Sequence, residues 1–375
     1  MPDGLLKQHP DDATRQVADL PSPRVQAHAA NLMVLGDGSL ACVWFGGSME
    51  GRSDISVFMS RLAPGAQQWS EPVQLSHDAE RSEQNPVLFP APDGTLWLLH
   101  TAQQSGHQNT AVVRVRRSTD HGHTWSDTET LADAPAGTFV RQPIHVHHDG
   151  SWLLPVFYCR AEAGQPWDGS HDDSGVLRST DQGLTWQRIS VPGSLGCLHM
   201  NIVPAANGQS LLAFFRSRWA DHIYRTQSDD GGLTWQTPQP TLLPNNNSSV
   251  QALRLADGNV LHDSRVILDY LDSQHVGEPL IPTGSARWRR LTLASLADAI
   301  LDAAVLLAAQ LAQMQQMEPQ QICQKLNEVL YPLYTYFAVF GQYGTTDLDN
   351  DFLLGHLCYP FRILKRANFS FSIFM

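Results

Sequence analysis

An eight-residue pattern, Ser-x-Asp-x-Gly-x-Thr-Trp, occurs three times in this chain and constrains its fold more than any other feature. The copies span residues 118–125, 179–186 and 228–235, and a degenerate copy at 60–69 keeps only its serine and its tryptophan. The tryptophans that close the four copies are 56, 61 and 49 residues apart. A repeat of this length is typical of a β-propeller, in which each repeat forms one small antiparallel sheet.

The residue types in the pattern predict a structural role for it. An aspartate two residues before a glycine favours a tight turn, because the carboxylate accepts backbone N–H groups and glycine tolerates a positive φ. The large tryptophan ring then buries apolar area at the joint between two sheets. We therefore expect the repeats to build the fold and to take no part in chemistry.

Residues 25–260 also contain a second set of turns that alternate with the repeats. Each one joins two short apolar runs, which is the strongest local signal for a β-hairpin. Two hairpins per repeat predict about four strands per sheet, or blade. These turns are Asp37-Gly38, Asp93-Gly94, Asp149-Gly150, Asn207-Gly208 and Asp257-Gly258.

Composition limits the partners of the chain. Among its 375 residues, 37 are Asp or Glu and 25 are Lys or Arg, and the net charge of −12 argues against nucleic acid or an anionic membrane as a partner. The five cysteines are widely spaced, and residues 1–12 lack the apolar run of a signal peptide, so we expect a cytoplasmic protein without disulfides. Only His145 and His147 share a strand face as a metal pair would, without a third ligand nearby, so we expect no metal and no cofactor.

The sequence changes character after residue 260. Residues 288–314 are rich in alanine and leucine without glycine or proline, which predicts helix. The stretch 261–308 resembles part of a glutathione S-transferase, in which Asp263 and Ser264 would hold glutathione, but the thiol-activating half of that family is missing. The join follows directly after Gly258, as it would in a fusion or a frameshifted reading frame. Residues 309–375 match nothing that we can name.

The eight-residue pattern is the Asp-box repeat, and with it residues 25–260 resemble the sialidase (neuraminidase) superfamily. The opening motif supports this resemblance, because it reads His28-Ala-Ala-Asn-Leu32, Trp44-Phe-Gly-Gly47, Glu50-Gly51-Arg52 and Asp54. The resemblance implies a mainly β protein with a sialidase-like propeller of the six-bladed type, preceded by an extension (1–24) and followed by an α-helical segment. Since the helical tail replaces the last blades, we expect an open ring that is unstable or inactive alone.

The resemblance also implies a chemistry, in which three arginines hold the carboxylate of an acidic sugar. Arg141, Arg216 and Arg218 follow apolar strands and are candidates for this clamp, with Arg52 or Arg24 as a further member. Asp54 is the candidate acid/base with Glu50 behind it. The tyrosine nucleophile of the family belongs to the missing blades, and Tyr270 does not match its position. The resulting hypothesis is an exo-α-sialidase-type glycosidase.

Two alternatives stay open at this point. A polysaccharide lyase would abstract a proton beside a uronate carboxylate, with His28 or His145 as the base and Arg141 neutralising the carboxylate. A propeller that only binds glycans, or a vestigial one, would need no base at all. Polar residues also occur at three further strand starts, where a turn or cap role is favoured. These segments begin at Glu83, His199 and Asn245.

Overall fold

Antiparallel pairing between short strands organises residues 2–9, 12–254 and 260–262, which are the residues that this computed structural model describes. The first two strands, β1 (Lys7–His9) and β2 (Asp12–Val17), form a hairpin within the predicted extension 1–24. The chain before β1 is held to the first blade, since Leu6 N–H donates to the Gln67 carbonyl at 2.8 Å and Trp69 N–H donates to the Gly4 carbonyl at 2.9 Å.

Four larger sheets follow, and we number them blades 1 to 4. Blade 1 contains β3 (Gln26–Val34), β4 (Leu40–Gly47), β5 (Ser56–Leu62) and β6 (Val73–Gln74). Blade 2 contains β7 (Arg81–Pro90), β8 (Leu96–Gln104), β9 (His107–Ser118) and β10 (Glu129–Thr130). Blade 3 contains β11 (Thr138–Val140), β12 (His145–Val146), β13 (Trp152–Tyr158), β14 (Asp173–Ser179) and β15 (Gln187–Ser190). Blade 4 contains β16 (Cys197–Pro204), β17 (Leu211–Ser217), β18 (His222–Ser228) and β19 (Gln239–Pro244).

The predictions of blades and of about four strands per blade are confirmed. A further pair, β20 (Ala252–Arg254) and β21 (Val260–His262), follows blade 4, and the predicted boundary at residue 260 falls inside it. The rest of the transferase-like stretch 261–308 and the tail 309–375 lie outside the described residues. In the part of the chain that the structure describes, no helix is long and apolar enough to cross a membrane.

The strand order gives the blades two different edges. In each antiparallel meander, the start of the innermost strand and the loop between the second and third strands lie at the same edge. We call this edge the loop face; its loops are 48–55, 105–106, 159–172 and 218–221. The Asp boxes join the third and fourth strands and therefore lie at the opposite edge, which we call the repeat face.

Each Asp box is a closed hydrogen-bonded turn. In the second copy, Asp181 Oδ1 accepts from Ser179 Oγ at 2.8 Å and from Thr185 N at 2.9 Å, while Oδ2 accepts from Thr185 Oγ1 at 2.6 Å. These bonds, led by the one from the Thr185 hydroxyl, lower the pKa of Asp181 to about 2. Both Gln182 and Gly183 have positive φ, and the same bonds recur in the other two copies.

The apolar cores lie between the blades, as the tryptophan positions predict. Trp186 of an Asp box is buried with Trp97 of blade 2 and Trp152 of blade 3, whose rings meet edge to face with centroids 5.4 Å apart. Trp235 is buried in the core between blades 3 and 4, and Trp125 packs on the core between blades 1 and 2. Burial of such large rings at each joint fixes neighbouring blades to one another.

The innermost strand of every blade is irregular near the loop face. In blades 1, 2 and 4 the register slips by one residue, between His28 and Asn31, between Gln84 and Val87, and between Leu198 and Asn201. In blade 3 residues 141–144 interrupt the strand, where Pro143 has no N–H for the ladder. Bulges of this kind redirect side chains and are frequent beside functional sites.

Candidate functional site

The irregular segments of blades 3 and 4 place a cluster of basic side chains at the loop face. Arg141 begins the interruption in blade 3, and His199 lies in the bulge of blade 4 with φ of 55°. Arg216 lies near the end of β17, and Arg218 is the first residue of the 218–221 loop that follows this strand. We call these four residues the arginine cluster.

The members of the cluster act on one another electrostatically. Burial lowers the pKa of His199 well below its ordinary value, and the positive charges of Arg216, Arg141 and Arg218 lower it further. The imidazole is therefore neutral at neutral pH. Burial and the neighbouring Arg218 also lower the pKa of Arg216, to about 10, which leaves this guanidinium protonated under ordinary conditions.

The three arginines differ in how much of their hydrogen-bonding capacity the protein uses. Arg141 is half-buried and makes no hydrogen bond or ion pair to any described residue, and burial lowers its pKa. Arg216 donates from Nη1 to the Asn247 carbonyl at 3.0 Å, while its buried Nε has no partner among the described residues. Guanidinium groups with free N–H donors in a partly buried position are suited to an anionic ligand.

Arg218 is the member that the protein itself holds. Its Nη2 donates to Oδ2 of Asp172, a fully buried carboxylate at the end of the 159–172 loop. Its guanidinium also lies over the ring of Trp167, 5.5 Å from the centroid. Gly169 leaves room for it, because a Cβ there would lie 3.0 Å from the guanidinium carbon. One face of the Arg218 guanidinium is therefore covered by the 159–172 loop.

Asp172 ties several elements of the loop face together. Its Oδ1 accepts from Trp167 Nε1 at 2.9 Å and from the Arg160 backbone N–H at 3.1 Å. Its own carbonyl accepts from Gly196 N–H at 2.8 Å, just before β16 begins. The carboxylate thus fixes the 159–172 loop and Arg218 in one arrangement.

His199 is oriented by contacts on two sides. Its Nδ1 shares a hydrogen bond with the Ser249 hydroxyl, and its ring lies 5.0 Å from that of Phe157. Below it, Asn201 donates to Gln142 Oε1 at 3.2 Å and accepts from Ala252 N–H at 2.8 Å. These buried amides link the inner edges of blades 3 and 4 to β20 and keep the cluster in place.

The candidate residues of blade 1 lie on the 48–55 loop and are not members of the arginine cluster. Glu50 is exposed on the 48–55 loop and raises the pKa of Arg216, so it lies within electrostatic range of the cluster. Asp54 is exposed, and both of its oxygens accept from Ser48, at 2.9 Å from the backbone N–H and 3.0 Å from the hydroxyl. These bonds, led by that of the hydroxyl, lower the pKa of Asp54. Arg52 is exposed in the same loop, where its N–H donates to the Met49 carbonyl at 3.2 Å.

Among the other sequence candidates, Arg24 lies within electrostatic range of Asp54, whose pKa its charge helps to lower. His28 is exposed on β3 and stacks on Phe45 at a centroid distance of 5.6 Å. Arg24 is exposed and lines a cavity of about 600 Å³ together with Arg116 and with residues between blades 1 and 2. Burial, followed by the neighbouring His147, lowers the pKa of His145 to about 4.

Neither a metal site nor a nucleophilic tyrosine is found at the cluster within the described residues. No group of three or more His, Cys, Asp or Glu side chains there is arranged to hold a metal ion. Tyr158 is buried between blades 2 and 3, and the Tyr224 hydroxyl donates to Asp221 at 3.0 Å. Tyr270 lies outside the described residues.

Sequence reasoning singled out the three arginines but assigned His199 to a turn or cap and did not consider Asp172. The sequence signal for His199 was its position at a strand start beside an apolar run. Asp172 follows a long loop of low apolar content, and only the fold brings its carboxylate to Arg218.

Comparison with solved structures supports the fold. The chain is similar to the Hadza microbial sialidase Hz136, with 16% identity and a TM-score of 0.52 over 64% of this chain and 53% of that one. It is also similar to the NanB sialidase of Streptococcus pneumoniae, with 13% identity and a TM-score of 0.52 over 70% and 58% of the two chains. A Dyadobacter fermentans protein of unknown function gives 17% identity and a TM-score of 0.51 over 65% and 76%. The chain thus spans little more than half the length of the two sialidases.

A comparison with curated protein sequences gives no match. A family model, in contrast, matches residues 38–268, and its description is BNR repeat-like domain. The match includes the first residues of the stretch predicted to be transferase-like, and that prediction gains no support from it. Because the matched residues make up more than half of the 375, the chain belongs to the BNR repeat-like domain family.

Proposed function

We propose that this protein is a sialidase-type glycosidase that binds the carboxylate of an acidic sugar at the arginine cluster. One observation carries the proposal: three guanidinium groups from two blades lie within electrostatic range of the buried His199 at the loop face, and Arg141 makes no hydrogen bond or ion pair to any described residue. Even a half-buried cation loses part of its hydration, and a carboxylate ligand would compensate this loss with paired, charge-assisted hydrogen bonds. The sialidase folds of Hz136 and NanB support the reaction class.

The role of each arginine in the cluster follows from the N–H donors that the protein leaves without a partner. Arg141 and Arg216 would contact the ligand carboxylate directly, since both keep unused donors. Arg218 would contribute charge and the edge of its guanidinium that Asp172 does not bind, because its Nη2 is bonded to Asp172 and its plane lies over Trp167. Glu50 lies within electrostatic range of Arg216 and would limit the positive charge of the unliganded cluster.

Asp54 is proposed as the acid/base. In the free protein its lowered pKa keeps it ionised, so it is prepared to accept a proton rather than to donate one. Proton donation to a leaving group therefore requires that the substrate displace the two bonds from Ser48 and bring negative charge close to the carboxylate. Either change raises the pKa of Asp54 toward the range of a general acid.

The binding step is tested with the full chain and the methyl α-glycoside of sialic acid, by calorimetry. Arg141→Ala removes a charge-assisted pair worth roughly 1.5–3 kcal/mol, so we expect about a 10- to 100-fold weaker affinity. Arg188→Ala is the matched control, because Arg188 is exposed on β15 away from the cluster. Wild-type protein that fails to bind, or equal affinities for the two variants, would overturn the proposal.

The catalytic step is tested separately with a fluorogenic methylumbelliferyl sialoside. Release of the fluorophore by wild-type protein, and loss of that release in Asp54→Asn with retained binding, is the expected result. Release that is unchanged in Asp54→Asn would exclude this residue as the acid/base.

A second candidate function, uronate lyase activity, is favoured by the position of His199. A neutral imidazole within electrostatic range of Arg141 combines a base with a cation that can neutralise the carboxylate of a uronate. The base would remove the proton beside the carboxylate while the bond to the leaving oxygen breaks, which forms a carbon–carbon double bond. Treatment of polyuronates such as alginate or pectate would then produce near-ultraviolet absorbance. That signal would be lost in His199→Gln and kept in Asp54→Asn, whereas hydrolysis gives the opposite pattern.

A further inference from the structure

We infer that a cavity at the joint between blades 1 and 2 binds a small planar aromatic molecule of about the size of indole. The cavity has a volume of about 540 Å³ and lies at the repeat face, at the edge opposite to the arginine cluster. Gly122 and Trp125 of the first Asp box line it on blade 2, and Met59, Arg61 and Leu75 line it on blade 1. Volumes of roughly 300–1,000 Å³ are typical of small-molecule sites.

The cavity exists because blade 1 has an alanine where the next blades have larger apolar side chains. In the ladder between the second and third strands, Ala41 pairs with Arg61, whereas Trp97 pairs with Arg117 in blade 2. Ala41 and Trp97 follow the glycine of their Asp-Gly turns at the same distance, so the two positions are equivalent, and in blade 3 the position is Leu153. An alanine among such positions leaves space that the surrounding side chains fill only in part.

The filled joint between blades 2 and 3 shows which group fits this space. There the Trp97 ring is buried against the Asp box of blade 3, since a Cβ on Gly183 would lie 2.7 Å from its Cη2. The Arg117 guanidinium lies over the same ring, 4.2 Å from a ring centroid. Trp186, which closes that Asp box, is buried in the same core. An indole thus fits between an Asp box and the arginine of the preceding blade.

The joint between blades 1 and 2 lacks such a ring. The methyl group of Met59 makes the contact with the Asp-box glycine instead, since a Cβ on Gly122 would lie 3.0 Å from it. A thioether chain is narrower than an indole, and Trp125 stays only partly buried. The tryptophans of the other two Asp boxes, Trp186 and Trp235, keep only 6% and 5% of their surface exposed. An aromatic ligand beside Trp125 would therefore complete this joint as a side chain completes the next one.

Both walls of the cavity are held in place by the protein itself. On blade 2, Trp125 Nε1 donates to the Gly122 carbonyl at 3.2 Å. On blade 1, the turn at 63–69 is bound by the N-terminal segment, since Trp69 N–H donates to the Gly4 carbonyl at 2.9 Å. A ligand that enters a preformed cavity does not have to order its walls, so little of the contact energy is lost on binding.

The charges around the cavity select against an anionic ligand. Arg61 Nη2 donates to Asp37 Oδ2 at 2.7 Å, so these two charges compensate each other. The exposed Glu71 carboxylate also lines the cavity, and it makes no hydrogen bond or ion pair to any described residue. It would attract a protonated amine and repel a carboxylate. The ligand class is therefore an uncharged or cationic planar aromatic molecule, for which indole and tryptamine are the simplest probes.

The test titrates the full chain with indole, tryptamine and indole-3-acetate by ligand-observed NMR. Indole should bind, and at about ten times its Kd it should raise Tm by roughly 3–6 °C. Tryptamine should bind about 2- to 5-fold more tightly than indole-3-acetate, as expected for one exposed charge contact, and Glu71→Gln should reduce this difference. Wild-type protein that binds none of the three compounds would overturn the inference.

A double variant locates the ligand. Ala41→Trp combined with Met59→Val rebuilds in blade 1 the side chains that blade 2 has at Trp97 and Val115, which occupy the equivalent positions of its ladder. The added indole should fill the cavity and weaken indole binding by about 10-fold or more. Met59→Val alone is the matched control and should still bind indole. Equal affinity of the wild type and a folded double variant would contradict the site.

A second measurement applies even if the double variant does not fold. In wild-type protein with ¹³C-labelled methionine methyl groups, indole should shift the Met59 methyl resonance, because the ring would lie against this side chain; Met59→Val assigns the resonance. Indole that binds without moving this resonance binds elsewhere, and the inference is then wrong. Neither result depends on the arginine cluster, so the proposed function is tested independently of this site.

Discussion

The buried ion pair between Asp172 and Arg218 yields the most demanding prediction. Asp172 has no exposed surface, and its carboxylate receives Arg218, Trp167 Nε1 and the Arg160 N–H. Arg218 keeps 19% of its side chain exposed, and its buried Nε already has no partner among the described residues. Asp172→Ala therefore leaves a guanidinium in a position from which water can hydrate it only in part.

The expected loss of stability in Asp172→Ala follows from this geometry. Removing one partner of a buried ion pair costs roughly 3–5 kcal/mol, and the partial exposure of Arg218 favours the lower limit, about 3 kcal/mol. For a unit of this size, 1 kcal/mol corresponds to roughly 2–4 °C in Tm. We therefore expect Asp172→Ala to lower Tm by about 6–12 °C, measured by calorimetry and by urea unfolding with tryptophan fluorescence.

A double-mutant cycle identifies the cause. If the cost comes from the stranded charge, Arg218→Met combined with Asp172→Ala should regain much of the stability that Asp172→Ala alone loses. The control is Glu129→Ala, which breaks the more exposed ion pair with Arg117 and should cost less than about 1 kcal/mol. A loss below about 0.5 kcal/mol for Asp172→Ala, or strict additivity in the cycle, would refute the reasoning.

Three further predictions concern single sites. Asp181 has a folded-state pKa below its ordinary value, so the stability that it contributes is present above pH 4 and is lost as the pH falls to about 2. In Asp181→Asn, the midpoint of urea unfolding should therefore depend less on pH between about 4 and 2 than it does in the wild type. Trp152→Ala removes a 2% exposed ring from the core between blades 2 and 3 and should cost about 3–5 kcal/mol in urea unfolding, and a smaller loss would mean that the core collapses into the cavity. By NMR, the ring of His199 should show no protonation step near the ordinary histidine pKa of about 6.5, since burial and three arginines hold its pKa well below that value; a transition near pH 6.5 would contradict the cluster.

The repeats made the fold predictable because each depends on local chemistry. Asp181 bonds to residues within four positions of itself, so sequence alone contains the whole turn. The closing tryptophans could likewise be assigned to the joints between blades, because a ring of that size at a fixed spacing has few other places to pack. Arg141 and Arg216 were found by the same kind of local reasoning, since each follows an apolar strand.

The rest of the site depends on contacts between distant residues. Asp172 meets Arg218 across 46 positions, and His199 meets Ser249 across 50. Neither contact has a signature at fixed spacing, so the sequence gives no reason to pair them. Asp54 was selected by its place in a family-like motif, and its role as the acid/base stays a prediction. Its bonds from Ser48, six residues away, are local contacts that lower its pKa in the free protein.

The bulges on the inner strands explain why the functional surface is harder to predict than the scaffold. A one-residue slip leaves the apolar alternation of a strand readable on both sides of it, so the sequence still indicates an ordinary strand. In blade 4 the slip nevertheless lets His199 depart from the ladder with a positive φ while Asn201 returns to it opposite Phe214. Without the slip, His199 would pair directly opposite Phe215, and its ring would not be set by the bulge among Arg141, Arg216 and Arg218. The site therefore arises from a local irregularity in a regular sheet, and the repeat pattern that predicts the blades does not indicate where that irregularity lies.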